Sequence, residues 1–319
     1  MVDPRVLAGG LLGWGLGAND AGNVFGSAVG SGMVRWRTAA GLLAVFVLLG
    51  ALLGGRHGLE TYAGLSGTGL AAAFRAALGA GVAILVMTAL RLPVSTSQAV
   101  VGAILGAALA RGGPVDLSTL RKVVACWVTA PVGAAVGAGL LYPALARVVR
   151  AAHPHFLFYD RMMRALLLFA GIYGAYALGA NNVANATGMF YRTGAFGPAG
   201  DRAAFLALLV GGASIGLGAL TFSRRVMSTV GARIVEFDAF SAFIVIVATA
   251  GTVHAYAWIG VPVSTSQAAV GAVCGVGLVK GLRTVRGRML AAIALGWAAT
   301  PALGLGATYA LVRLAPGAH

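Results

Sequence analysis

Long apolar runs broken by short polar stretches organise this chain. Runs near 5–33, 38–54, 70–110 and 122–148 are followed by a second series near 165–190, 203–222, 239–279 and 289–312. An α-helix needs about 20 predominantly apolar residues to cross a hydrocarbon core of about 30 Å, so the pattern predicts an all-α polytopic membrane protein. The third run of each series contains a proline, Pro93 or Pro262, where a continuous helix would lose a backbone hydrogen bond and clash with the preceding turn. Each of these runs is read as two helical arms flanking a Pro-Val-Ser-Thr-Ser segment. The stretch from Ala76 to Leu90 holds 15 residues, about 22 Å of helix and short of the core. That length predicts a re-entrant hairpin whose tip, Pro93 to Ser97, lies near the midplane.

The two series are related. Gly17-Ala18-Asn19-Asp20-Ala21-Gly22-Asn23 returns as Gly179-Ala180-Asn181-Asn182-Val183-Ala184-Asn185, 162 residues on. Pro93-Val94-Ser95-Thr96-Ser97-Gln98 returns unchanged as Pro262-Val263-Ser264-Thr265-Ser266-Gln267, 169 residues on. Trp127 with Pro131 returns as Trp297 with Pro301 at an offset of 170. Matches in one order at nearly constant spacing mean an internal duplication. The chain divides into an N-terminal membrane repeat (1–150), a polar linker (151–164) and a C-terminal membrane repeat (165–319). With a hairpin that turns back, or one whose two arms both cross, each half makes an odd number of crossings. The second repeat is then inverted relative to the first, with a broken helix and a hairpin in each.

Composition agrees with the membrane reading. Hydrophobic residues make up 59% of the chain and charged residues 10%, against about 25% charged in an average soluble domain. The 49 glycines suit close helix packing in lipid, where no hydrophobic drive acts between helices. A net charge of +15 would suggest nucleic acid in a soluble protein. Here the basic residues fall between the apolar runs, so lipid headgroups and topology account for them and no nucleic-acid partner is expected. Lys and Arg slightly favour the face holding the 34–38 loop, the linker and the loops around 224–233 and 280–288. The other face holds Arg5, Arg56, Arg75, Arg111, Arg121, Lys122, Arg192, Arg202 and Arg313. The first face is read as cytoplasmic, which places both termini outside the cell membrane. Met1 to Arg5 lead straight into an apolar segment with no cleavable signal evident. Cys126 and Cys274 read as small packing residues.

Asp20 is the one acidic residue embedded in an apolar run; Asp3, Glu60, Asp116, Asp160, Asp201, Glu236 and Asp238 fall at ends or loops. A charged group at the centre of a lipid-facing helix costs at least about 2.5–3.5 kcal/mol, so Asp20 should face a polar cavity or a partner. Asn19, Asp20 and Asn23 share one side of a helix by their three- and four-residue spacing. Their oxygens, with those of Asn181, Asn182 and Asn185 in the second copy, suit a hard cation such as Na⁺. The alternative is that these groups only bond neighbouring helices; their recurrence in both halves favours a site. In each Pro-Val-Ser-Thr-Ser segment the proline ends one helix and a serine or threonine caps the next. Free N–H groups and a positive dipole end make such a start an anion site. Inverted repeats would bring two such tips together at the midplane.

These segments resemble those of the inorganic phosphate transporter (PiT) family of membrane symporters. The resemblance rests on Gly-Ala-Asn-Asp at 17–20, Gly-Ala-Asn-Asn at 179–182, both Pro-Val-Ser-Thr-Ser segments and Ser228-Thr229-Val230-Gly231. It implies an inverted-repeat fold, phosphate between two hairpin tips, and coupling to Na⁺ or H⁺ with no other cofactor. Carried over by position, Asp20, Asn23 and Asn185 belong to the substrate and cation site, and Ser95, Thr96, Ser97, Ser264, Thr265 and Ser266 to the anion site. The chain departs from the family at Asn182, where an Asp is usual, at Gln98 and Gln267, where His is frequent, and at Arg91, whose counterpart in the second copy is Gly260. Arg91 is read as a source of positive charge towards the oxyanion. These departures bear on the coupling ion and on the choice between phosphate and sulfate, and a homodimer is compatible with the pattern.

Other embedded polar groups receive structural readings. His254 and the pair Tyr173 and Tyr176 are read as packing or hydrogen-bonding residues, and Trp127 and Trp297 as packing in or near the interface. No His-Glu-x-x-His or nucleophile elbow is present, so an enzyme is not expected. An anion channel would leave Asp20 and the Asn segments without a role.

Overall fold

The computed structural model describes residues 2–66, 69–90, 94–234, 238–281 and 287–314. Eleven α-helices lie among them: α1 (Val6–Gly30), α2 (Trp36–Gly54), α3 (Arg56–Ser66), α4 (Leu70–Ala89), α5 (Thr96–Ala110), α6 (Leu117–Ala152), α7 (Phe156–Thr187), α8 (Asp201–Ile234), α9 (Ala239–Ile259), α10 (Thr265–Lys280) and α11 (Gly287–Leu314). Seven of these are long and apolar enough to cross a membrane, and large apolar side chains such as Leu53, Phe156 and Trp258 point outward. In water that surface would be costly; in lipid it is the normal exterior. The chain is a multi-pass membrane protein.

Local chemistry sets the helix starts. Ser95 caps α5 and Ser264 caps α10, each hydroxyl accepting from the backbone N–H three residues on, Gln98 at 3.4 Å and Gln267 at 3.3 Å. Asp116 caps α6, accepting from the N–H groups of Ser118 and Thr119 at 2.9 and 3.1 Å. Those bonds, with the Thr119 hydroxyl foremost, hold its carboxyl well below the usual carboxylate range. Asp238 caps α9 through the Ser241 N–H at 2.8 Å. Each cap satisfies donors that a helix start leaves without intrahelical partners.

The helices pair across the two halves of the chain. α1 lies on α8 and α2 on α7; α5 packs on α11 and α10 on α6. Glycines make these contacts. Gly102 and Gly106 of α5 lie against the carbonyls of Pro301 and Leu305, and Gly271 and Gly275 of α10 against those of Pro131 and Ala135. Gly17 meets the Ile215 carbonyl and Gly179 that of Val47, while Gly50 meets that of Tyr176 and Gly218 that of Trp14. A Cβ at any of these positions would overlap backbone, so the helix axes could not approach as closely with alanine there. Every such contact in one half has its counterpart, with the roles exchanged, in the other.

Several expectations need correction. α4 has 20 residues, about 30 Å of helix, because it starts at Leu70 and runs through Arg75. α4 is therefore long enough to cross the core and not the short arm expected; the shorter arms are α5 and α10, with 15 and 16 residues. Arg75 is not a loop residue: it is 8% exposed among packed helices, so it adds to neither membrane face. The segment 224–234 continues α8 instead of forming a loop, and Arg224 stacks over Trp36 at 5.9 Å. Residues 156–164 of the expected linker begin α7, leaving 153–155 as the non-helical break. Arg56 to Ser66 form a helix that the search for long apolar runs passed over. Both Asn segments lie inside continuous helices, and the interruptions fall at the Pro-Val-Ser-Thr-Ser segments. Arg91 and Pro93 lie outside the described residues, as does the 282–286 part of the 280–288 loop.

Candidate functional site

α1 and α7 bring the two Asn segments to the tip that starts α10. The Asp20 carboxylate is 6% exposed, and its Oδ1 accepts from the amides of Asn19 and Asn23, each at 3.3 Å. Asn23 also donates to the Ser266 hydroxyl at 3.2 Å. Asn19 stands on an exposed flank of α1. In the second copy Asn181, Asn182 and Asn185 are all buried. Asn181 brackets the backbone of Val263, donating to its carbonyl at 2.7 Å and accepting from its N–H at 3.0 Å. Asn182 donates to the Thr265 hydroxyl at 2.8 Å and accepts from Asn181 at 3.0 Å and Asn185 at 2.8 Å. Thr265 and Ser266 thus each accept from a side-chain amide, one from each half of the chain.

The first tip is built differently. Ser95 and Ser97 are buried and share a hydrogen bond at 3.2 Å. Thr96 is half-buried between them. Among the described residues, no side-chain bond ties this tip to α1 or α7. Gln98 and Gln267, the third residues of α5 and α10, are both buried, and neither amide oxygen has a partner among the described residues. A cavity of about 10 Å³ lies between Asn23, Thr265 and Thr249, enough for one water molecule. The Thr249 hydroxyl beside it is also unpartnered.

The site residues that sequence reasoning missed lie on α3. Tyr62 is fully buried and donates to the Asn185 amide oxygen at 2.6 Å. Thr61 donates to the carbonyl of Gly260, at the end of α9. Gly260 has φ of 77°, a left-handed turn that a non-glycine residue resists, and the His57 Cβ would meet a side chain there at 3.0 Å. The short helix therefore closes over the second tip and the second Asn segment. A signal was available: Leu59, Tyr62 and Ala63, all buried, have the spacing of one helical face.

His254 makes one hydrogen bond and three ring contacts, while its Nε2 is buried with no partner among the described residues. Its Nδ1 lies 3.1 Å from the Tyr173 hydroxyl, and the rings of Tyr173, Tyr176 and Trp258 meet it edge-on.

The two related Asn segments thus converge on one serine-capped Pro-Val-Ser-Thr-Ser segment, the one that starts α10. The Phosphate transporter family matches residues 16–307. The chain belongs to that family. A Pyrococcus furiosus protein, PF1020, is 28% identical across 96% of this chain and 95% of its own length. The sulfate permease CysP of Bacillus subtilis is 29% identical across 94% of this chain and 84% of its own. The solved structure titled "The sodium-dependent phosphate transporter" superposes with a TM-score of 0.83, covering 98% of each chain at 24% identity. That likeness establishes the fold; family and fold are those of transporters.

Proposed function

We propose that the chain imports inorganic phosphate by cation symport, with the oxyanion held at the hairpin tips and the coupling ion beside Asp20. The observation that carries this reading is the convergence on one tip: Asn23 reaches Ser266, and Asn182 reaches Thr265, from opposite halves of the chain. Amide and hydroxyl donors with the free N–H groups of α10 suit a tetrahedral anion. Asp20 supplies the negative charge that a cation requires and that an anion alone would avoid. The exchanged glycine contacts support treating 1–150 and 165–319 as inverted repeats around this site.

Substrate contacts are assigned to Asp20, Asn23, Ser95, Thr96, Ser97, Asn185, Ser264, Thr265 and Ser266. Cation contacts are assigned to the oxygens of Asn19, Asp20, Asn23, Asn181, Asn182 and Asn185. Moving a dianion inward against the membrane potential costs about 2 × 2.3 kcal/mol per 100 mV, which two monovalent cations would cancel. With Asp20 as the single buried carboxylate among the described residues, the reading is fewer metal cations per anion, or a proton carried with monovalent phosphate. Sulfate is the second reading, favoured by the resemblance to CysP across most of both chains.

Uptake of labelled phosphate into proteoliposomes tests this, with Na⁺ and pH gradients imposed separately and sulfate as competitor. Phosphate accumulation that collapses without either gradient is expected. Gradient-independent equilibration would mean a channel, and saturable sulfate uptake with phosphate excluded would mean a sulfate permease.

A further inference from the structure

Away from the central site, a cavity of about 440 Å³ opens where α6 and α10 end and α7 and α9 begin. Its wall joins Tyr142, Val149 and Arg150 of α6 to Tyr159 of α7, Asp238 and Phe240 at the start of α9 and Val279 of α10. The charges around it are unequal. Lys280 is held by Asp238 at 2.6 Å and lies 5.8 Å from the Tyr142 ring centre. Arg150 is exposed and makes no ion pair among the described residues. Asp238 lines the cavity with its charge met by Lys280, which leaves the Arg150 guanidinium as the unmatched charge beside two tyrosines and a set of apolar side chains.

The depth of the cavity along α6 indicates what fills it. Lys122 and Arg147 are about 25 residues apart on one helix, roughly 37 Å, against a hydrocarbon core of about 30 Å. Residues 142–150 therefore fall in the headgroup layer. Below them Val128, Val132, Val136 and Leu140 form an exposed ridge with a four-residue repeat, one side of the helix facing lipid.

We propose that this cavity is a binding site for an anionic phospholipid. Arg150 pairs with the phosphodiester, the hydroxyls of Tyr142 and Tyr159 donate to its oxygens, and an acyl chain descends along the α6 ridge. One uncompensated cation matches the single charge of a phosphodiester. Free inorganic phosphate, a small and strongly hydrated anion with no apolar part, would leave Val149, Phe240 and Val279 uncovered. Anionic headgroups in basic pockets at helix ends are physically favoured in this layer. The inference needs only the membrane setting, so it stands or falls independently of what the central site transports.

The test uses the full chain in neutral detergent, stripped of lipid and offered phosphatidylglycerol or phosphatidylcholine. Native mass spectrometry reads the bound lipid, and thermal unfolding reads its effect. The wild type should retain phosphatidylglycerol over phosphatidylcholine and gain thermal stability from it. Arg150→Gln should weaken that retention about tenfold, the loss of one charged hydrogen-bonding partner, while Arg147→Gln, outside the cavity lining, leaves it unchanged. Equal retention by wild type and Arg150→Gln would overturn the proposal, as would no preference between the two lipids. Displacement of phosphatidylglycerol by millimolar inorganic phosphate would instead identify a free-anion site. Exclusion of lipid by a dimer that Arg150→Gln dissociates would identify the face as a contact between copies.

Discussion

The two Pro-Val-Ser-Thr-Ser-Gln segments are identical in sequence and carry the same serine caps, yet they are held in different ways. The second is bonded by Asn23, Asn181 and Asn182 and by Thr61 through Gly260. The first is bonded within itself, by Ser95 to Ser97 and by the Gln98 N–H. The cause lies in the helices that flank them. Asn182 has an amide that accepts from two neighbours and still donates to Thr265. Asp20, at the matching position, can only accept when ionised, so it draws the amides of Asn19 and Asn23 towards itself and extends no donor to a hydroxyl. One oxygen-for-nitrogen difference thus accounts for the missing donor to a hydroxyl, while the grip on Val263 belongs to Asn181, whose counterpart Asn19 stands on an exposed flank.

The most direct way to break this comparison is to erase the difference. Asp20→Asn should abolish gradient-driven phosphate accumulation in proteoliposomes while the protein inserts and purifies normally. Full accumulation by the inserted variant would remove Asp20 from coupling. Next in size is the clamp itself. Asn181→Ala leaves the buried N–H and carbonyl of Val263 unpaired, at about 1–3 kcal/mol for each such group. Its unfolding midpoint should fall by several degrees and uptake by at least tenfold. Asn19→Ala, which gives up one 3.3 Å bond on an exposed flank, should shift the midpoint much less, and equal shifts would show that the tethers do not differ in weight.

The hydroxyls distinguish the tips by affinity. Replacing Ser264 and Ser266 by alanine, or Ser95 and Ser97, should raise the phosphate concentration for half-maximal uptake about tenfold or more, since hydrogen bonds to charged groups are worth roughly 1.5–3 kcal/mol each. Unchanged values in both double variants would place the anion elsewhere; a change in one alone would show a single-tip site. The smallest effect belongs to Tyr62→Phe. It removes the bond to Asn185 but keeps the ring in place, a loss of about 1 kcal/mol, or roughly fivefold in apparent affinity. No change in stability or uptake would reduce α3 to a passive cover.

The asymmetry around α3 shows where reading the sequence stopped. Gly54 and Gly55 end α2, pressed against Ala180 and Val183 of α7. Their counterparts 168 residues on are Phe222 and Ser223, where α8 continues unbroken to Ile234. The first half can bend there and lay Tyr62 over Asn185; the second half cannot. A search for long apolar runs reads neither event, because α3 is short and only one face of it is buried. The buried Arg75 escaped for the opposite reason: an arginine at the start of an apolar run looks like a membrane-surface residue until the neighbouring helices are in place.

What the sequence determined by itself was whatever depends on neighbours along the chain. Hydropathy and run length set the membrane class and most spans, proline and serine set the breaks and caps at both tips, and the repeated segments set the duplication. Tertiary structure alone decided which groups face one another. It paired α5 with α11 and α10 with α6 through glycines that touch backbone, and carried the polar partners of Asn185 and Ser266 across 123 and 243 residues of chain. Helix formation and capping are local, satisfied within a few residues. Packing and hydrogen bonding between buried polar groups are not, because each group must be matched by whatever the fold places opposite it.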